Sequence, residues 1–128
     1  MRDIKMLCVL SAMTKNEAIA KIENSIAEGS QLITPAGKTY EDHLAAVSKK
    51  LFDHVIEPMP ALVTSTCVAG EDYEKYKNSS VLAIAQMGSS WLLTLEFENE
   101  FALGFGESPK DIMMHGFSSP DAIGEWCV

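Results

Sequence analysis

The first third of the chain carries apolar residues at the spacing of helices. Four of them fall on one face at 3.6 residues per turn: Ala18, Ile19, Ile22 and Ile26. Ahead of them, Thr14 and Glu17 have the spacing of a capping box, in which each side chain bonds the backbone N–H of the other residue. Gly29 supplies the left-handed residue that commonly ends a helix. The pattern predicts a helix over residues 15–28.

A second apolar stripe follows, with members Leu44, Val47, Leu51 and Val55. Thr39 stands before it as an N-cap. Pro58 is expected to end this helix, because proline has no backbone N–H and clashes with the preceding turn. Residues 3–12 contain few β-branched side chains, and their Leu, Met, Cys and Ala content predicts a short helix.

From Pro60 onward the apolar positions change to the spacing and length of strands. Four segments have this character: 61–68, 81–87, 91–97 and 101–105. The second is almost entirely apolar, which predicts burial on both faces. In the third, Trp91, Leu93, Leu95 and Phe97 alternate, so we expect them on one core-facing side. Residues 70–78 are polar and predict a loop.

The last part of the chain contains two serine–proline pairs, a typical start of a helix. Ser108 and Ser119 precede these prolines, and they predict short helices around 109–115 and 120–127. Because helices come first and short-linked strands second, we expect one α+β domain over residues 1–128. Its order would be N-terminal helices, an antiparallel β-meander of about four strands, and two short C-terminal helices.

Composition suits a self-sufficient intracellular domain. The chain has 128 residues, of which 47% are hydrophobic and 22% charged, enough for one core without a disulfide or metal. Its three cysteines, Cys8, Cys67 and Cys127, form no Cys-x-x-Cys pair, and an odd number predicts reduced thiols. The apolar run over residues 6–13 is too short for a signal peptide or a membrane span. We therefore expect a cytoplasmic protein.

No cluster of residues predicts catalysis, a metal or a cofactor. His43 and His54 share a helix face, but eleven residues of helix separate them by about 16 Å, too far for one ion. His115 stands apart, and Cys67 has no histidine near it in sequence. We therefore predict a protein that is not an enzyme. One alternative remains open, a small enzyme or ligand-binding domain in which the Gly104–Ser108 turn holds a phosphate at a helix start.

Charge is distributed unevenly along the chain. The net charge is −8 and the pI about 4.7, a balance that repels nucleic acid and anionic membranes. Residues 1–60 hold seven Lys or Arg against eight Asp or Glu, whereas residues 61–128 hold three Lys against ten. Eight carboxylates of the second half are the predicted partner-binding residues: Glu71, Asp72, Glu74, Glu96, Glu98, Glu100, Glu107 and Asp111.

Two interpretations of these carboxylates remain open. They serve solubility and the protection of sheet edges, or they recognise a basic protein. Glu96, Glu98 and Glu100 have no predicted cap or helix-dipole role, and like charges so close destabilise an isolated hairpin unless something compensates. A third reading of the chain is a subunit of a homo-oligomer whose apolar strands pair across an edge.

The chain resembles the small immunity proteins of bacterial contact-dependent growth inhibition systems. The likeness lies in size, acidity, the order of helices and strands, and the stretch from Trp91 to Gly106, WLLTLEFENEFALGFG. The resemblance implies a cytoplasmic inhibitor that binds a cognate toxin, often a basic nuclease, and covers its active site or substrate path. It implies no catalytic residue in the inhibitor itself.

Overall fold

A computed structural model describes residues 13–126, and its first helix matches the sequence prediction. Helix α1 spans Lys15–Glu28. The Thr14 hydroxyl accepts the Glu17 N–H at 3.1 Å, and the Glu17 carboxylate accepts the Thr14 N–H at 2.8 Å. Gly29 ends the helix with a φ of +115°. The helix over residues 15–28 is therefore confirmed, whereas the helix predicted over residues 3–12 lies outside the described residues.

Helix α2, Tyr40–Asp53, begins as predicted but ends earlier. The Thr39 hydroxyl accepts the Asp42 N–H at 3.1 Å. The predicted end at Pro58 is wrong, because the chain enters strand β1, Val55–Ala61, directly after His54. Proline favours an extended conformation in the residue before it, and an edge strand tolerates its missing N–H. Two prolines within seven residues therefore favour this edge strand over a longer helix.

The sheet has six strands instead of the predicted four. After β1 they are β2 (Val63–Thr66), β3 (Val81–Met87), β4 (Ser90–Leu95), β5 (Phe101–Phe105) and β6 (Ile112–Ser119). The order is β1-β3-β4-β5-β6-β2, antiparallel throughout except for the parallel pair β2 and β6. The fold is α+β with a mixed sheet, so the predicted antiparallel meander is wrong as the architecture, although β3, β4 and β5 follow one another as expected.

Two further segments differ from the sequence prediction. Residues 112–119 form β6, so the helix predicted at 109–115 is wrong. The short helix predicted around 120–127 is present within the described residues as α4, Ala122–Glu125. Residues predicted as a polar loop form helix α3, Glu71–Lys77. Its first turn is acidic and its last turn basic, which suits the helix dipole.

The sheet curls so that its two edge strands come together at Leu62. Strands β1 and β2 stand at opposite ends of the strand order, yet only Leu62 separates them along the chain. A flat sheet of six strands is about 24 Å wide, whereas the Cα atoms on either side of one residue are at most about 7.6 Å apart. Leu62 donates to the Pro109 carbonyl at 2.8 Å and accepts from the Ile112 N–H at 2.9 Å. The result is a barrel-like form.

Two apolar clusters lie on either side of this curled sheet. The inner cluster consists mainly of strand residues: Ala61, Val63, Val81, Ala83, Trp91, Leu93, Leu95, Ala102, Ile112 and Met114, with Tyr76 of α3. Several are small, which suits the narrow interior of a small barrel. The outer cluster joins α1, α2 and α4 to the outer surface of β3, β4 and β5. Strand β3 contributes to both clusters, as its predicted burial on both faces requires.

Candidate partner-binding surface

Six of the eight predicted carboxylates lie at one end of the curled sheet. Glu71, Asp72 and Glu74 belong to α3, and Glu96, Glu98 and Glu100 belong to the turn between β4 and β5. Lys75 joins the two groups, because its ammonium lies 2.7 Å from the Glu98 carboxylate and 2.9 Å from that of Glu100. We call these six residues the acidic end.

Glu107 and Asp111 lie elsewhere. Both follow the far end of β5, whose five residues extend over about 13 Å. The Asp111 carboxylate accepts a hydrogen bond from the Thr64 hydroxyl. Glu107 and Asp111 line an open groove together with Phe105 and Met113. The eight predicted residues therefore form two groups at opposite ends of the sheet.

Hydrogen bonds give the carboxylates of the turn a structural role that the sequence did not predict. The hydrogen bonds that Lys75 donates to Glu98 and Glu100 raise the pKa of Lys75 above its ordinary value, and the latter bond lowers the pKa of Glu100. Ser118 of β6 donates its hydroxyl to Glu100 at 2.9 Å and its backbone N–H to Asp72 at 3.1 Å. These contacts compensate the repulsion expected of clustered carboxylates.

Glu96 is also tied to the fold. The Ser80 hydroxyl donates to its carboxylate at 2.6 Å. Lys21 of α1 reaches across and donates to the Leu95 carbonyl at 2.6 Å. Burial lowers the pKa of Lys21, and the nearby charge of Glu96 acts against that shift. The most exposed carboxylates of the acidic end are those of Glu71, Glu74 and Glu98, and of these Glu98 is paired with Lys75.

An exposed aromatic side chain lies within the acidic end. Phe97, between Glu96 and Glu98 in the turn, has 80% of its surface exposed and lies beside Met13 and Glu17. Its predicted place on the core-facing side of β4 is wrong, because the strand ends at Leu95. The alternation from Trp91 to Leu95 is confirmed, since these side chains point into the inner cluster.

Glu125 of α4 extends the negative charge towards β6. It is half-buried, near Asp72 and Asp121, and the Ser119 hydroxyl donates to it at 2.8 Å. Burial raises the pKa of Glu125, and the Ser119 bond and the charge of His115 only partly oppose that shift. The ionised form is therefore less favourable in the folded protein than in the unfolded chain.

Glu125→Gln is expected to raise the melting temperature at pH 7. A carboxyl with a raised folded pKa destabilises the fold once it ionises, above about pH 4, and has no such effect below that pH. Melting curves of both chains at several pH values test this. The difference in melting temperature between the two chains should disappear below about pH 4. A melting temperature of Glu125→Gln at pH 7 that is equal to or lower than that of the wild type would contradict the raised pKa.

The Gly104–Ser108 turn lacks the helix start on which the alternative of a phosphate site depended. No helix follows it, since β6 begins at Ile112. A Cβ on Gly104 would lie 2.5 Å from the Ile112 side chain, and one on Gly106 would lie 2.5 Å from the Asp111 carbonyl oxygen. Both glycines are thus explained by close packing. The adjoining groove also carries the carboxylates of Glu107 and Asp111, which repel a phosphate.

Other candidate chemistry is dispersed over the part of the chain that the structure describes. His43 lies on α2, His54 caps that helix, and His115 lies on β6. Within residues 13–126, no three His, Cys, Asp or Glu side chains come together as a metal site. Each helix in that range is too short or too polar to cross a bilayer. Comparison with protein-family models, with curated proteins and with solved structures gives no match for this chain.

Proposed function

We propose that this chain is a cytoplasmic binding protein that neutralises a basic protein partner. The observation that carries the proposal is the acidic end, where α3 and the β4–β5 turn bring six carboxylates together and the turn also exposes the ring of Phe97, beside Glu96 and Glu17. Lys75 and Lys77 are the lysines that α3 brings to this end. Lys21 adds a third positive charge near Glu96, and three lysines against six carboxylates still leave this end negative.

A concentrated field of one sign has a specific use in binding. It attracts an oppositely charged protein over distance, accelerates association and disfavours wrong partners. Aromatic side chains are common at the centres of interfaces, where burying one contributes much of the affinity. Phe97 combines both features, because its ring is open to solvent between two carboxylates. Solubility alone accounts for the charge and not for this ring.

The kind of partner follows from the resemblance to immunity proteins, which stays a prediction. A basic toxin, such as a nuclease whose substrate is polyanionic, has a positive active site that a carboxylate surface can cover. In that arrangement the inhibitor needs no catalytic group, cofactor or metal. The carboxylates and Phe97 would provide the contact.

Charge reversal at the open carboxylates tests the proposal. The variant Glu71→Lys, Glu74→Lys, Glu98→Lys changes the acidic end and leaves Glu96 and Glu100, which bond Ser80 and Ser118, in place. The matched control Glu23→Lys, Glu41→Lys, Glu57→Lys makes the same change of net charge at exposed sites on α1, α2 and β1. Proteins captured from a lysate of the source organism are identified, and the affinity of each purified candidate is measured.

We expect the captured partner to be basic and its affinity to fall at least about tenfold in the first variant and little in the control. The loss should be larger at about 0.1 M salt than at about 1 M, because the Debye length falls from about 10 to about 3 Å. Melting curves verify that both variants fold. An acidic partner, or equal losses in both variants, would refute the proposal.

A further inference from the structure

The outer surface of β6 is left uncovered by the helices. Helices α1, α2 and α4 cover the outer surface from β1 to β5. Beyond β5, Met113 and Phe117 of β6 are 39% and 60% exposed, and His115 between them is exposed as well. Their partners in the alternation, Ile112 and Met114, point into the inner cluster. We call the exposed side of β6, with Cys67 beside it, the β6 outer face.

Contacts join these side chains into one continuous surface. The Phe105 and His115 rings meet edge to face, with centroids 6.1 Å apart. The Cys67 sulfur lies 3.9 Å from that of Met113. Apolar patches of this kind on a protein surface commonly mark a binding site.

Carboxylates border the β6 outer face at both of its ends. Glu107 and Asp111 share a groove with Met113 at one end. Glu71 and Asp72 line a shallow depression with Phe117 at the other end. Members of both groups of predicted carboxylates, separate along the sheet, thus flank the same apolar strip.

We propose that the β6 outer face is where the basic partner of the proposed function docks, with apolar side chains against Met113 and Phe117 and Lys or Arg at both ends. This rests on the proposed function and adds a second apolar contact to that of Phe97. A second copy of the chain is a poor occupant. A twofold axis would bring the acidic borders of the two copies against each other, and like charges facing each other across an interface are strongly unfavourable.

The test uses three synthetic peptides and needs no natural partner. One alternates leucine and lysine, the second replaces every lysine by glutamate, and the third replaces every leucine by serine. Their binding to the full chain is followed by fluorescence anisotropy. The variants Phe117→Ser and Met113→Ser change the face one residue at a time, and Ile33→Ser is the matched control, because Ile33 is 95% exposed in a loop elsewhere.

We expect the leucine–lysine peptide to bind most tightly of the three. Phe117→Ser and Met113→Ser should each weaken it, the former at least about tenfold, as loss of an aromatic anchor does. Ile33→Ser should leave the affinity unchanged. Folding of each variant is verified by its melting curve, and the two face variants provide independent results.

Four distinct outcomes would each overturn the docking face or its basic partner. If Ile33→Ser weakens binding of the leucine–lysine peptide as much as the face variants do, the apolar contact is unspecific. If binding is lost only in the Glu71, Glu74, Glu98 variant, the docking face is wrong and the proposed function still stands. A concentration-dependent dimer that Phe117→Ser dissociates would assign the face to a second copy. Equal binding of the lysine and glutamate peptides, lost in Phe117→Ser, would instead refute the basic partner and keep the face.

Discussion

Trp91→Ala is expected to lower the free energy of unfolding by about 3–5 kcal/mol, the usual loss when a buried aromatic is truncated. The Trp91 side chain is 3% exposed and lies in the inner cluster with Leu93 and Leu95. Its strand pairs with β3 on one side and β5 on the other, so little rearrangement can fill the cavity. The indole N–H also donates to the Gly106 carbonyl at 2.9 Å, and this bond would be lost.

Two further variants separate packing from the hydrogen bond. Trp91→Phe keeps most of the apolar surface and removes the indole N–H, so we expect a loss of about 1–2 kcal/mol. Phe97→Ala removes an exposed ring just beyond the same strand and should change stability by no more than about 0.5 kcal/mol. Denaturant unfolding followed by circular dichroism measures all three. A loss below about 1 kcal/mol for Trp91→Ala would show that its side chain is not part of a rigid core.

The sequence predicts best the features that depend on neighbours along the chain. The capping box of Thr14 and Glu17 lies within four residues, and both bonds of the pair are present. The alternation from Trp91 to Leu95 is likewise local. Helix α2 was predicted too long because Val55 continues the apolar stripe of Leu51, and the stripe alone does not distinguish one more helical turn from the start of an edge strand.

Segments that depend on distant pairing were predicted wrongly. Strand β6 is stabilised between β5 and β2, and the pairing of β2 with β6 spans almost fifty residues. The serine–proline pair before β6 gave a helix signal that this pairing overrides. Helix α3 has only seven residues, too few for an apolar stripe, and its Tyr76 anchors it in the inner cluster.

The candidate surface was predicted in part. Uneven charge along the chain identified the carboxylates, but their division into two groups depends on how β5 separates Glu100 from Glu107. The β6 outer face was missed, because a helix was assigned to residues 109–115. The signal was present in the sequence as a strand pattern. Met113, His115 and Phe117 alternate with Ile112 and Met114, and in a strand this alternation puts the first three on one face.

Tyr76→Phe is expected to raise the free energy of unfolding by about 1–2 kcal/mol at neutral pH, because a buried polar group without a partner is destabilising. The Tyr76 side chain is 1% exposed, and its hydroxyl has no hydrogen-bond partner. Ser118 lies beside it, but the arrangement falls outside hydrogen-bond geometry, and the Ser118 hydroxyl donates to Glu100. The phenylalanine ring keeps the apolar contacts of the inner cluster.

The effect of Tyr76→Phe should grow at alkaline pH. Burial, reinforced by the nearby charges of Glu100, Glu125 and Asp72, raises the pKa of the Tyr76 phenol. A group whose folded pKa lies above its unfolded value contributes stability that is complete below about pH 10 and is lost as pH rises further. Above about pH 10 the wild-type chain therefore loses stability through this phenol, and the variant does not, because it has no phenol at position 76.

Unfolding curves from pH 7 to about pH 11 measure the difference in the free energy of unfolding between the wild-type and Tyr76→Phe chains. The raised pKa of Lys75 also removes stability at high pH, but both chains carry that lysine, so its contribution cancels. Tyr73→Phe on the same helix is the matched control, because the Tyr73 hydroxyl donates to the Thr64 carbonyl and its loss should not stabilise the fold. A Tyr76→Phe chain that is less stable than wild type at neutral pH would show that the buried hydroxyl has a partner after all.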